Sequence, residues 1–95
     1  MPIKALRSEE GRWLEVTSVA TEHQEVYWTK WASESKPDDE FARPLGGSTK
    51  TSKLLEHMSG PIDPNLSILE NQIQAGYKAI LEMPGLFDGW TAVNQ

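Results

Sequence analysis

The chain contains no cysteine. Disulfides, thiolate zinc sites and a cysteine nucleophile are therefore excluded, and the absence fits a reducing compartment. Long apolar runs are missing as well. None approaches the ~20 residues that span a bilayer. The opening stretch, Met1-Pro2-Ile3-Lys4-Ala5-Leu6-Arg7, has no long apolar segment and no cleavage site, so a signal peptide is not expected. The closing Asn94-Gln95 carries no lipidation motif. These absences lead to the expectation of a soluble, cytoplasmic protein.

Positive charge is scarce. Nine Lys and Arg stand against fourteen Asp and Glu, for a net charge of −5. A general binder of phosphate backbones needs clustered positive charge, so nucleic-acid binding is not expected. Docking on a basic partner is compatible with this balance.

Catalytic sets are missing too. The two histidines, His23 and His57, are far apart and lie in no metal or triad motif. No serine stands in a Gly-x-Ser-x-Gly elbow. Glu34, Asp38, Asp39 and Glu40 form a carboxylate cluster, but the spacing lacks the twelve-residue calcium loop, and a solvated acidic loop is expected. Gly46-Gly47-Ser48-Thr49-Lys50-Thr51 has the composition of a phosphate-binding loop without its order. A reduced form survives: backbone N–H groups at a helix start, with Lys50 and Lys53, could hold one anion. The expectation is a non-enzyme with no metal and no cofactor.

Ninety-five residues suit one domain, spanning 1–95. A chain this short buries only about 60–65% of its unfolded surface. Without disulfides or a structural metal, oligomerisation is the remaining source of added stability.

What the chain does have begins with β-forming residues. Ile3–Arg7 is a short candidate strand, 12–19 is rich in Trp, Val, Leu and Thr, and 25–32 is again aromatic and β-rich, with Ser8-Glu9-Glu10-Gly11 and Thr21-Glu22-His23-Gln24 as turns between them. They predict a three-stranded antiparallel meander over 3–32. Alternation puts Leu14, Val16, Ser18 and Ala20 on one face of the second strand. In the third strand Tyr27, Thr29 and Trp31 oppose Val26, Trp28 and Lys30, so both faces carry a large aromatic. Residues 33–48 read as a long loop, with Phe41 and Leu45 as anchors.

The last part reads as helical. A short helix is predicted over 49–58 and a long one over 63–83. Asp63 and Pro64 favour the start of the long helix, and Pro84-Gly85 ends it. Ser67-Ile68-Leu69-Glu70 also forms a capping box, which would move the start one turn later. Leu66, Leu69, Ile73, Gly76, Tyr77 and Ile80 make one stripe, and Ile68 and Leu81 widen it beyond what one small sheet requires. The tail, 84–95, holds Leu86, Phe87, Trp90 and Val93. It is too apolar to be free, and should pack on the sheet or on a neighbouring chain.

The fold expected is therefore α+β, with a meander followed by helices. The function expected is a non-catalytic interaction or assembly module, homo-oligomeric and with a protein partner. The contact residues expected are Trp28, Trp31, Tyr77, Phe87 and Trp90. The general style is that of an accessory gene product, as in a phage or mobile element. The alternative is a binder of an anionic or nucleotide-like small molecule at Lys50 and Lys53. A third reading is an acidic inhibitor of a nucleic-acid-binding protein.

Overall fold

The computed structural model describes residues 2–31, 44–60 and 62–94. The acidic cluster at 34–40 and Phe41 lie outside them. Five strands and two helices form a mixed α+β fold. The strands are β1 (Ile3–Arg7), β2 (Trp13–Ala20), β3 (Glu25–Trp31), β4 (Pro44–Lys50) and β5 (Thr91–Asn94). The helices are α1 (Lys53–Met58) and α2 (Ile68–Glu82). The sheet runs β4-β3-β2-β1-β5, with every neighbouring pair antiparallel.

The meander of β1, β2 and β3 forms where β-branched and aromatic residues cluster. Gly11 takes a φ of 84° in its first turn, a conformation that only glycine enters freely. A short 3-10 turn, Thr21–His23, makes the second. Strict alternation holds in β3 but fails in β2. Val16 pairs with Trp28 and Ser18 with Tyr27, so Thr17 is an extra residue in a β-bulge. The bulge returns Val19 to the face that carries Leu14 and Val16, and sends Ser18 to the other.

Residues 44–50 are a strand, not the end of a loop and the start of a helix. β4 pairs with β3 from Trp31–Pro44 to Glu25–Lys50. Gly47 permits this, because Trp28 lays its indole across it, where any Cβ would overlap the six-membered ring. Leu45, expected to anchor the segment, is exposed. The short helix accordingly begins at Lys53 rather than at residue 49. Leu54 is its buried residue.

The long helix begins one turn later than Asp63-Pro64 suggests. Ser67 Oγ accepts the Glu70 N–H at 3.1 Å, the N-cap bond of the predicted box, and its hydroxyl donates to Glu70 Oε1 at 3.1 Å. Asp63 instead caps its own turn, accepting from Asn65 N–H at 2.9 Å. The Asn71 side chain stitches that turn to the helix through the backbone of Asp63, Leu66 and Ser67. At the other end Pro84 forces Met83 into an extended conformation, so the helix closes at Glu82.

The tail folds back on the sheet. Phe87 enters the core, edge-on to Trp28 at 5.5 Å and to Trp90 at 6.0 Å. Thr91–Asn94 then adds β5 to the free side of β1. α2 crosses β1 and β2, and α1 packs on α2. The core between sheet and helices holds Leu6, Leu14, Val16, Val26, Leu54, Tyr77 and Ile80. Among the described residues no helix is long and apolar enough to cross a membrane.

Candidate functional site

β1 and β2 share a ladder of two pairs, Leu6–Leu14 and Arg7–Trp13. The same register would set Ala5 opposite Glu15 and then Lys4 opposite Val16. Instead Tyr77 of α2 enters between them. Its hydroxyl accepts the Val16 N–H at 3.0 Å and donates to the Lys4 carbonyl at 3.0 Å. One turn earlier on the helix, the Gln74 side-chain amide binds both backbone groups of Ile3. Its Oε1 accepts the Ile3 N–H at 2.7 Å, and its Nε2 donates to the Ile3 carbonyl at 2.7 Å. The N-terminal half of β1 is thus tied to α2 side chains where β2 would otherwise serve. Burial pushes the Tyr77 hydroxyl up to about 12, against the Val16 N–H bond that pulls it down.

Beside this junction lies a groove of about 440 Å³, within the size range of ligand sites. Pro2, Ile3, Ala92 and Asn94 form one wall, at the ends of β1 and β5. His57 and Met58 of α1 and the turn at Ile62, Asp63 and Leu66 form the other. Ile68, Gln72, Ala75 and Lys78 of α2 complete the lining. Ile68 is 81% exposed and Ile62 65% exposed, so apolar surface lines an opening to solvent. Two of the lining amides are already engaged: Gln74 holds Ile3, and Asn71 holds the 63–67 turn. Gln72, Lys78 and Asn94 add polar groups to a lining that otherwise offers apolar contact.

The five residues expected at an interface separate into two groups. Tyr77 is 2% exposed and Phe87 6% exposed within the single chain. Both belong to the core and leave no surface for a partner, because the helix stripe and the tail close over the sheet. Trp28 and Trp90 are half-buried against that core. Trp28 carries the Lys30 ammonium over its ring at 5.2 Å, which accounts for a lysine on the helix-facing side of β3. Trp31 is half-buried on the opposite face of the sheet, paired with Trp13.

The two lysines expected to hold an anion are not brought together. Lys50 ends β4 and borders a depression of about 290 Å³ with Glu22, His23, Gln24, Thr51 and Ser52. Lys53 is not in that lining. Its Nζ is 3.7 Å from Glu56 Oε2 on the same helix. The N–H groups once placed at a helix start belong to β4, and α1 has six residues, so no helix-terminal anion site forms there.

Each histidine meets a neighbouring carboxylate. His23 is exposed, 3.7 Å from Glu22. His57 Nε2 is 3.2 Å from Glu82 Oε2 and links α1 to α2. Among the described residues no cluster of three or more His, Asp or Glu could hold a metal ion. Gln74, Asn71 and Ile62 went unremarked in the sequence. The surplus of apolar surface around Ile68 was the one signal that pointed to the groove. No protein-family model matches this chain, and neither a curated protein nor a solved structure matches it.

Proposed function

We propose that the protein is a non-catalytic interaction module that captures an apolar segment of a protein partner in the groove beside α2. A second copy of the chain is one candidate for that partner. The observation that carries the reading is the exposure of Ile68 and Ile62 at the mouth of a single groove. Exposed apolar groups gathered at one concavity are a feature of interaction sites. The contact surface accordingly moves from the five aromatics to the first turns of α2 and the turn before it.

Small-molecule capture is the second reading. The groove volume and the Gln72, Lys78 and Asn94 side chains in its lining favour it, while the exposed Ile62 and Ile68 favour an apolar segment.

The test is affinity capture from an extract of the source cells, with the intact chain and its Ile68→Asp variant as baits. Thr17→Asp, on an exposed bulge residue of β2, is the control. The proposal expects a protein retained by the intact chain and by the control to be depleted about ten-fold by Ile68→Asp, the loss of roughly 1.4 kcal/mol of binding. A retained set that Ile68→Asp leaves unchanged would contradict it. Sedimentation of the same proteins reports whether the partner is a second copy.

A further inference from the structure

We infer that the N-terminal half of β1, together with β5, is a hinged wall of the groove, latched by Gln74 and Tyr77. The inference rests on the groove being the docking surface, and it adds how that surface is regulated.

Three observations meet at this wall. First, the ladder between β1 and β2 stops after Leu6–Leu14 and Arg7–Trp13, so Ile3 and Lys4 have no strand partner on that side. Second, their backbone groups go to two side chains of α2, Gln74 on Ile3 and the Tyr77 hydroxyl on Lys4. Third, the only strand paired with this half of β1 among the described residues is β5, through Ile3–Asn94 and Ala5–Val93, with a register shift between Ile3 and Ala5. β5 is four residues long and stands at the edge of the sheet.

A strand continuously laddered to its neighbour opens only when many backbone bonds break together. This wall is held by the Gln74 amide, the Tyr77 hydroxyl, the buried Ala5 and the pairing of Ala92 and Thr91 with Leu6 and Arg7 at its base. Segments held by few contacts open locally, below the free energy of global unfolding. Pro2, Ile3, Ala92 and Asn94 all line the groove, so outward movement of β1 and β5 widens it. Leu6–Leu14 and Arg7–Trp13 stay paired and act as the hinge. An apolar segment larger than the closed groove is admitted by releasing the latch. Its binding then selects the open population, and latch strength sets the apparent affinity.

The experiment is amide hydrogen exchange on the free, intact chain, with no partner present. Failure here is therefore distinct from failure of the docking proposal, which the capture experiment reads. Residues 3–5 and 92–94 are expected to exchange through one shared opening, faster than Val26 and Trp28 in β3. Gln74→Ala should speed exchange at 3–5 and 92–94 by about ten-fold or more while β3 keeps its protection. Gln72→Ala, which lines the groove without bonding Ile3, should leave both unchanged. Tyr77→Phe provides a second break of the latch: exchange at 3–5 and 92–94 should rise by more than the general rise that its loss of global stability gives β3. The inference is overturned if β1 and β5 exchange only with β3 in the intact chain. It is equally overturned if Gln74→Ala accelerates every strand alike or none.

Discussion

The Tyr77 hydroxyl takes the Val16 amide proton at 3.0 Å, a bond a neighbouring strand would ordinarily make. A helix side chain here completes a sheet. Tyr77→Phe would keep the ring and strand the buried Val16 N–H, along with a partly buried Lys4 carbonyl. Each unsatisfied group costs about 1–3 kcal/mol. Urea unfolding should show a loss in that range, with an unchanged m-value if the unfolded chain is unaltered.

The same residue gives the fold an alkaline limit. Tyr77 titrates at about 12 when folded, against an ordinary value of 10.0. The folded chain holds this proton more tightly, so the contribution is complete below pH 10.0 and drains away as pH climbs towards about 12. Unfolding midpoints at about pH 9 and about pH 11.5 should fall further in the intact chain than in Tyr77→Phe. Tyr27 is also raised, by its hydrogen bond to Glu25, but it is present in both proteins and cancels in the comparison.

Two glycines mark close approaches. A Cβ at Gly76 would stand 3.1 Å from Val19 and 3.4 Å from Val16 and Val26. Alanine favours a helix by about 1 kcal/mol. The Val19 methyl, packed against the core, must give way. Gly76→Ala should therefore fail to stabilise the chain, with a net loss of about 0–2 kcal/mol once overpacking is set against the helix gain. Gly47→Ala should move the Trp28 indole off β4 and shift its fluorescence, with a loss of about 1–3 kcal/mol. An unchanged emission spectrum would contradict the Gly47–Trp28 packing.

Much of the fold was legible in the sequence. The three meander strands, the N-cap at Ser67 and the helix stop before Pro84 follow from local chemistry. Three features do not, because each depends on a distant residue. β4 looks like a flexible loop until Trp28 is seen to need Gly47 beneath it. The four residues of β5 carry no period long enough to read. The Thr17 bulge changes which face Val19 occupies, and alternation alone cannot place a bulge. The site was less legible than the fold. Aromatic content pointed to Tyr77 and Phe87 as contacts, but large aromatics serve a core equally well. The excess apolar width at Ile68 was readable, whereas the roles of Gln74 and Asn71 were not.

Glu25 joins two strands on the exposed side. The Ser48 hydroxyl donates to it at 2.8 Å and the Tyr27 hydroxyl at 3.1 Å. These bonds, Ser48 first, hold its carboxyl below the ordinary 4.5. The associated stability is present above pH 4.5 and is lost as pH falls through the lower folded value. A carbon-detected titration should place the Glu25 midpoint below 4.5 and move it upward in Ser48→Ala. No movement would dissociate the shift from that bond.

Helix α2 is closed at its N-terminus by the Ser67 side chain. Ser67→Ala removes the acceptor for the Glu70 N–H and should cost about 1 kcal/mol in thermal or urea unfolding. Ile68→Asp, one residue on, changes a side chain that is 81% exposed, and should stay within about 0.5 kcal/mol of the intact chain. That contrast separates the helix's folding role from its surface role.

The most direct test of the docking surface is photocrosslinking from two positions in an extract of the source cells. A photoreactive residue replaces Ile68 at the groove mouth in one protein and Ser18, on the opposite face of the sheet, in the other. The account predicts a discrete crosslinked species from position 68, absent from position 18 and competed away by excess intact chain. No discrete species from position 68, or the same species from both positions, would contradict it.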